Sequence, residues 1–209
     1  MKLYTYWRST TSYRVRIALG LKGIGYEPVP VNLVAGEQGT ADYVMLNPGR
    51  GVPTLVLDDG RVLTQSMAIL DWLEEDHPDP ALLPEDPFAR AEVRAAALTI
   101  AADVHPVNNL RVIGKLKAMG HSQDETTAWM NDWMRRGFEP FAALIRPDTP
   151  FCFGETPGLA DLCLVPQLYN AHRWGCDLSG LERLTDIEAR CLALPAFAAA
   201  RPETQPDAT

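Results

Sequence analysis

Tyr6-Trp7-Arg8-Ser9-Thr10-Thr11-Ser12-Tyr13-Arg14-Val15-Arg16-Ile17-Ala18-Leu19 joins two kinds of segment. On its near side, residues 2–7 are short and aromatic-rich, with Leu3, Tyr4 and Tyr6, which predicts a strand. On its far side, residues 13–22 carry Val15, Ile17, Ala18, Leu19 and Leu21, the apolar set of a helix, and Gly23 and Gly25 end the run. Between them, Ser9-Thr10-Thr11-Ser12 supplies N-capping hydroxyls. A strand that turns straight into a helix leaves unpaired backbone N–H groups beside those hydroxyls, at the positive end of the helix. That combination favours an anion. By itself the run is also an ordinary helix cap with no ligand.

Working outward, residues 26–33 alternate Val29, Val31 and Leu33, and Pro28 and Pro30 restrict this segment to the edge of a sheet. A short helix is predicted over 40–46. Asn47-Pro48-Gly49-Arg50-Gly51 is a turn cluster. Residues 52–57 and 61–63 form two strands around the hairpin turn Asp58-Asp59-Gly60. Gln65-Ser66 then opens a helix over 67–76 with Ile69, Leu70 and Leu73 on its core face. The order is βαβαββα. Residues 77–87, rich in proline and acidic side chains, read as a linker. Beyond it no strand is predicted, only helices over 90–116, where Pro106 kinks or starts a helical segment, 126–145, Leu159–Trp174, 181–192 and 195–200, with a frayed end from Pro202. This predicts a first domain over 1–80 and an all-helical second domain over 87–209.

Composition limits the function. The chain has 209 residues, 46% hydrophobic and 22% charged, with a formal net charge of -8. It lacks the basic excess that neutralises phosphates, which argues against nucleic acid as a partner. No run of about 18 apolar residues is present and the N-terminus does not read as a signal peptide, so the expectation is a cytoplasmic protein with no membrane span. Cys152, Cys163, Cys176 and Cys191 lack paired C-x-x-C spacing, which predicts reduced, mostly buried thiols and no zinc site.

The opening stretch resembles that of zeta-class glutathione transferases, which usually reads R-S-S-C-S-W-R-V-R-I-A-L. Further matches follow in the same order: Leu46-Asn47-Pro48, Val52-Pro53-Thr54-Leu55, Gln65-Ser66, His105-Pro106-Val107-Asn108-Asn109-Leu110-Arg111, and Ala160-Asp161-Leu162-Cys163-Leu164-Val165-Pro166-Gln167. The resemblance implies a thioredoxin-like domain followed by a helical domain, glutathione as cofactor and a homodimer. It implies that Ser9 orients the glutathione thiolate, with Thr10, Thr11 and Arg8 beside it. Val52 and Pro53 match the family's cis-proline turn, whose backbone faces an extended peptide. Gln65 and Ser66 match the γ-glutamyl carboxylate position, where a helix start suits an anion. Gln38 matches a contact to the glycyl end, and His105, Asn108 and Asn109 match a helical face over the glutathione site. An isolated histidine is more often structural, and His105 has no second ligand at i+4 to suggest a metal.

Arg8, Arg111 and Arg173 match positions that line the family's substrate pocket, where guanidinium forks suit the two carboxylates of maleyl compounds. Arg14 and Arg16 read as structural or solvent-facing. The sequence departs from the family at two places. Thr11 stands where cysteine is usual, which removes mixed-disulfide chemistry and favours a maleylpyruvate-type enzyme. Gly158 stands where Ser or Thr caps the helix before Asp161, at a cost of a few tenths of a kcal/mol.

The implied reaction is glutathione-dependent cis–trans isomerisation of a maleyl keto acid, maleylpyruvate or maleylacetoacetate. The thiolate adds to the cis double bond, the resulting single bond rotates, and elimination releases the fumaryl isomer. Lowering a thiol pKa by about two units takes roughly 2.7 kcal/mol and raises the thiolate fraction by little more than tenfold, so much of the rate must come from holding the maleyl dianion. The rivals are a general glutathione transferase or dehalogenase, in which glutathione stays in the product, and a non-catalytic interaction domain of the same fold. The last is disfavoured because both the hydroxyl turn and the Gln-Ser pair are kept.

Overall fold

In the computed structural model, which describes residues 1–209, helix α1 (Thr10–Leu21) begins directly after Ser9. Ser9 is the N-cap. Its backbone is extended (φ −70°, ψ 118°) and its hydroxyl oxygen accepts the Ser12 N–H at 3.2 Å. Thr10 and Thr11 are thus the first helical residues rather than the cap, and the helix starts three residues before the expected position 13. Most of α1 is buried, and Arg14 and Arg16 are each only 1% exposed, so neither faces solvent.

The sheet runs β2-β1-β3-β4. Strand β1 (Lys2–Thr5) pairs parallel with β2 (Glu27–Pro30) and antiparallel with β3 (Thr54–Val56), which pairs antiparallel with β4 (Val62–Thr64). Leu3 faces Leu55 in this register, and both are fully buried. Pro28 and Pro30 lie on the edge strand, where a missing N–H breaks no ladder bond on the open side, as expected. Helices α2 (Ala41–Leu46) and α3 (Ser66–Asp76) complete the predicted βαβαββα order, with Ile69, Leu70 and Leu73 of α3 in the core. The Lys22 ammonium, just past α1, donates to Glu74 Oε2 at 3.2 Å and to the carbonyls of His77 (2.6 Å) and Pro80 (2.8 Å), tying α1 to the end of α3.

Two compact units emerge. One is Met1–Ala81 together with Leu192–Thr209, the other Leu82–Cys191. The expected second domain over 87–209 therefore loses its last stretch to the first unit. Helix α9 (Pro195–Ala200) packs on α1, where a Cβ on Gly20 would come within 3.3 Å of Ala196 Cβ. The end of the chain is not frayed. Pro202 and Gln205 are buried, and Asp207 Oδ2 accepts the Trp7 N–H at 2.9 Å. The Asp207–Trp7 bond joins residues 200 positions apart, which leaves no trace in local periodicity.

The second unit is helical, as predicted, but residues 90–116 are not one helix. They divide into α4 (Pro87–Leu98), a π-helical turn (Thr99–Val104), a 3-10 turn (Pro106–Asn108) and α5 (Leu110–Ala118). Pro106 has no N–H to continue an α-helical ladder, so the chain widens, breaks and restarts at Asn109, whose Oδ1 accepts the Arg111 N–H at 3.1 Å. Helix α6 (Gln123–Leu144) follows a Ser122/Glu125 capping box. It meets the π-helical turn at Gly137, where a Cβ would lie 1.9 Å from Val104 Cγ2. Helix α7 (Leu159–Trp174) has the predicted bounds and is buried on most sides, and α8 (Glu182–Leu192) closes the unit. At Gly158 a Cβ would sit 2.8 Å from the Leu82 carbonyl oxygen. Close backbone approach accounts for glycine at this N-cap, and Asp161 replaces the missing cap by accepting the Gly158 N–H at 2.9 Å and the Cys152 N–H at 3.0 Å.

Candidate active site

The turn between β1 and α1 gathers three of the expected residues. Ser9 Oγ lies 2.9 Å from Thr11 Oγ1, and Thr11 Oγ1 donates to the Val52 carbonyl at 2.8 Å. A threonine hydroxyl has one hydrogen. With that hydrogen on Val52, the Ser9 hydroxyl is the donor in the Ser9–Thr11 pair. Ser9 therefore holds a hydroxyl hydrogen that can turn from Thr11 toward an anion at the N-terminus of α1. The Val52–Pro53 peptide bond is cis, and the Val52 N–H has no partner within the protein. Thr10 is buried in the first turn of α1.

Arg8 is half-buried. Its guanidinium stacks over the Trp7 ring, 4.5 Å from the centroid, and Nη2 donates to the Tyr6 hydroxyl at 3.3 Å, while its buried Nε has no partner. The group is held as a flat, oriented cation with donors to spare.

A second cluster forms at the start of α3. Gln65 is the N-cap with a left-handed φ of 69°, and it is exposed. Ser66 is buried, and its hydroxyl accepts from Arg14 Nη1 at 3.3 Å. A helix N-terminus, a serine hydroxyl and a buried guanidinium together make a place for a carboxylate. Arg14 was not among the expected site residues. The available signal was a pair of arginines two apart in an otherwise apolar helix, which requires buried partners for both. Gln38 lies apart in a 3-10 turn (Glu37–Gly39), where Nε2 contacts the Leu33 carbonyl at 3.4 Å and the buried Oε1 has no partner.

The remaining expected residues belong to the second unit. His105 Nε2 is 3.4 Å from Asn109 Nδ2, so these two share a face as predicted. Asn108 is only 8% exposed, and neither its Oδ1 nor its Nδ2 has a hydrogen-bond partner within the chain. Arg111 is exposed on α5, and Arg173 is exposed with its guanidinium over the Trp174 ring at 4.6 Å.

The four cysteines are free, three of them buried. Burial pushes the thiols of Cys152, Cys176 and Cys191 upward, the reverse of what a nucleophile needs. No cluster of three or more His, Cys, Asp or Glu side chains is placed to hold a metal, and no helix is long and apolar enough to cross a membrane.

A family model described as the N-terminal domain of glutathione S-transferase matches residues 8–76. A maleylacetoacetate isomerase of Pseudomonas aeruginosa is 46% identical over 209 residues, spanning 99% of this chain and 98% of its own. A solved holo maleylpyruvate isomerase, a bacterial zeta-class glutathione S-transferase, superposes with a TM-score of 0.97 at 43% identity over the whole of both chains. The chain belongs to the zeta class of glutathione transferases. A further solved structure, the maleylacetoacetate isomerase of Anaeromyxobacter dehalogenans, holds glutathione in its active site and matches with a TM-score of 0.90 at 43% identity, covering 100% of this chain and 97% of that one. The zeta-class fold accounts for the sheet order, the cis-proline turn and the helical second unit.

Proposed function

We propose that this protein is a glutathione-dependent cis–trans isomerase of a maleyl keto acid. The observation that carries the reading is the Ser9 hydroxyl at the N-terminus of α1, joined through Thr11 to the Val52 carbonyl. The residues fit the cofactor: an oriented hydroxyl for its sulfur, a free Val52 N–H for its peptide backbone, and Gln65-Ser66 backed by Arg14 for its γ-glutamyl carboxylate. Gln38, His105, Asn108 and Asn109 are assigned as further ligands of it.

Bound glutathione supplies a thiolate that adds to the cis double bond and leaves after the bond has rotated. Ser9 holds the sulfur as its anion, helped by the positive end of α1. Thr11 sets the direction of the Ser9 hydroxyl and offers no thiol of its own, so the chemistry depends on the cofactor's sulfur alone. Arg8, stacked and preoriented, takes a carboxylate of the substrate and stabilises the negative charge that grows on its keto oxygen. Arg111 and Arg173 are assigned to the other carboxylate. Thr11 favours maleylpyruvate over maleylacetoacetate. We further assign the protein to the cytoplasm as a homodimer, a state that light scattering of the purified protein tests.

Each maleyl acid is offered separately, with and without glutathione, while fumaryl product and free glutathione are followed. Isomerisation that needs glutathione but does not consume it is the expected result. Consumption of glutathione would instead favour a general transferase, and no glutathione-dependent isomerisation of either acid would sink the proposal.

A further inference from the structure

We propose that the C-terminal segment braces the Ser9 turn and that Asp207 is its positioning residue. The inference rests on the reading of Ser9 as the residue that holds the cofactor's sulfur.

Both polar groups of the Trp7 backbone are held from outside the turn. The N–H donates to Asp207 Oδ2 at 2.9 Å, and the carbonyl accepts from Arg16 Nη2 at 3.0 Å. Arg16 also donates through Nη1 to Thr5 Oγ1 (3.1 Å) and the Tyr6 carbonyl (3.4 Å), and through Nε to the Ala200 carbonyl (3.1 Å). One buried guanidinium thus joins the end of β1, the turn and the end of α9. Ser9 N–H closes the turn on the Tyr6 carbonyl at 2.9 Å. Trp7 in turn carries the stacked Arg8.

The tail has its own support. Thr204 Oγ1 lies 2.9 and 2.8 Å from the Ala199 and Arg201 carbonyls, within reach of either for its one hydrogen, and Gln205 Nε2 donates to the same pair at 3.0 and 2.9 Å. Asp207 therefore projects from a folded segment. Its Oδ1 is buried with no partner. An unsatisfied buried carboxylate oxygen is unfavourable for folding, and a simple surface tether would leave it in water. A charge-assisted bond to one amide, kept despite that cost, makes sense where the peptide it holds lies two residues from the reacting centre.

The test compares Asp207→Ala with Asp207→Asn, which keeps an acceptor for the Trp7 N–H. Readouts are kcat, KM and the pH at which bound glutathione ionises, followed by thiolate absorbance. Asp207→Ala should lower kcat by about tenfold or more, since small misplacements at a reacting centre are costly, and move the ionisation to higher pH. Asp207→Asn should recover most of both. An Asp207→Ala protein with unchanged kcat and ionisation, or an Asp207→Asn protein as impaired as it, would overturn the proposal. Amide exchange of Trp7 in the unaltered protein decides the matter if Asp207→Ala does not fold. Protection like that of β1 supports the brace, and exchange as fast as an open loop refutes it. Absence of glutathione-dependent isomerisation in the unaltered protein would count against the functional reading alone, because the exchange experiment needs no activity.

Discussion

Thr11 shows how one residue changes what a site can do. The cysteine usual at this position would bring a second sulfur to the turn. Threonine brings a hydroxyl, and that hydroxyl is spent on the Val52 carbonyl, so it directs Ser9 instead of reacting. The roles predict unequal losses. Ser9→Ala should reduce kcat about a hundredfold, the scale of removing one preorganised donor, with its pH–rate profile displaced to higher pH. Thr11→Val should cost about 1 kcal/mol of stability and leave kcat within about threefold, because Ser9 keeps its hydroxyl. Steady-state kinetics with urea unfolding of the two variants checks this, and equal losses would show that Thr11 carries the charge. The hydroxyls were legible in Ser9-Thr10-Thr11 itself. Their direction was not, because it depends on a carbonyl 41 residues further along the chain.

At the scale of elements, local rules succeeded where the pattern was strong and unopposed. Helix α7 and helix α9 have their predicted bounds, since a stretch rich in Leu, Val and Cys and an initial proline are each clear signals. The segment 90–116 carries helical spacing throughout but divides into several pieces, and Pro106, the residue expected to kink or start a helical segment, opens the 3-10 turn that follows the π-helical one. Gly158 marks the opposite conflict. Capping preference alone says that Ser would gain a few tenths of a kcal/mol over Gly. A Cβ 2.8 Å from the Leu82 oxygen says that it must push backbone aside. Overpacking of this kind costs about 1–3 kcal/mol, so Gly158→Ser should be destabilising. Chemical denaturation gives the sign directly, and a more stable variant would mean that the backbone at Leu82 yields easily.

For the whole molecule, the desolvated thiols set a pH dependence. Cys152, Cys176 and Cys191 are all raised, chiefly by desolvation, and Tyr26 and Tyr43 are raised for the same reason. In the native protein these groups stay protonated while the unfolded chain begins to ionise, near pH 8.5 for a thiol and about 10 for a phenol. The unfolded state then binds fewer protons, so the free energy of unfolding falls as pH rises from the unfolded values toward the folded ones. Urea midpoints measured from neutral to alkaline pH should therefore decline, and Cys191→Ala should decline less steeply. An identical slope in that variant would remove Cys191 from the account.

From the sequence alone came the strand-to-helix turn at Ser9, the βαβαββα order, the edge placement of Pro28 and Pro30, the helical second half and the family. Each rests on neighbours within a few residues or on motifs in fixed order. Tertiary structure alone decided that Leu192–Thr209 joins the first unit, that Arg14 stands behind Ser66, that Gly158 is required by Leu82, and that Asp207 holds Trp7. The physical reason is common to all four. Hydrogen bonds and close contacts between residues far apart in the chain depend on where the backbone returns, and hydrophobic periodicity carries no record of that.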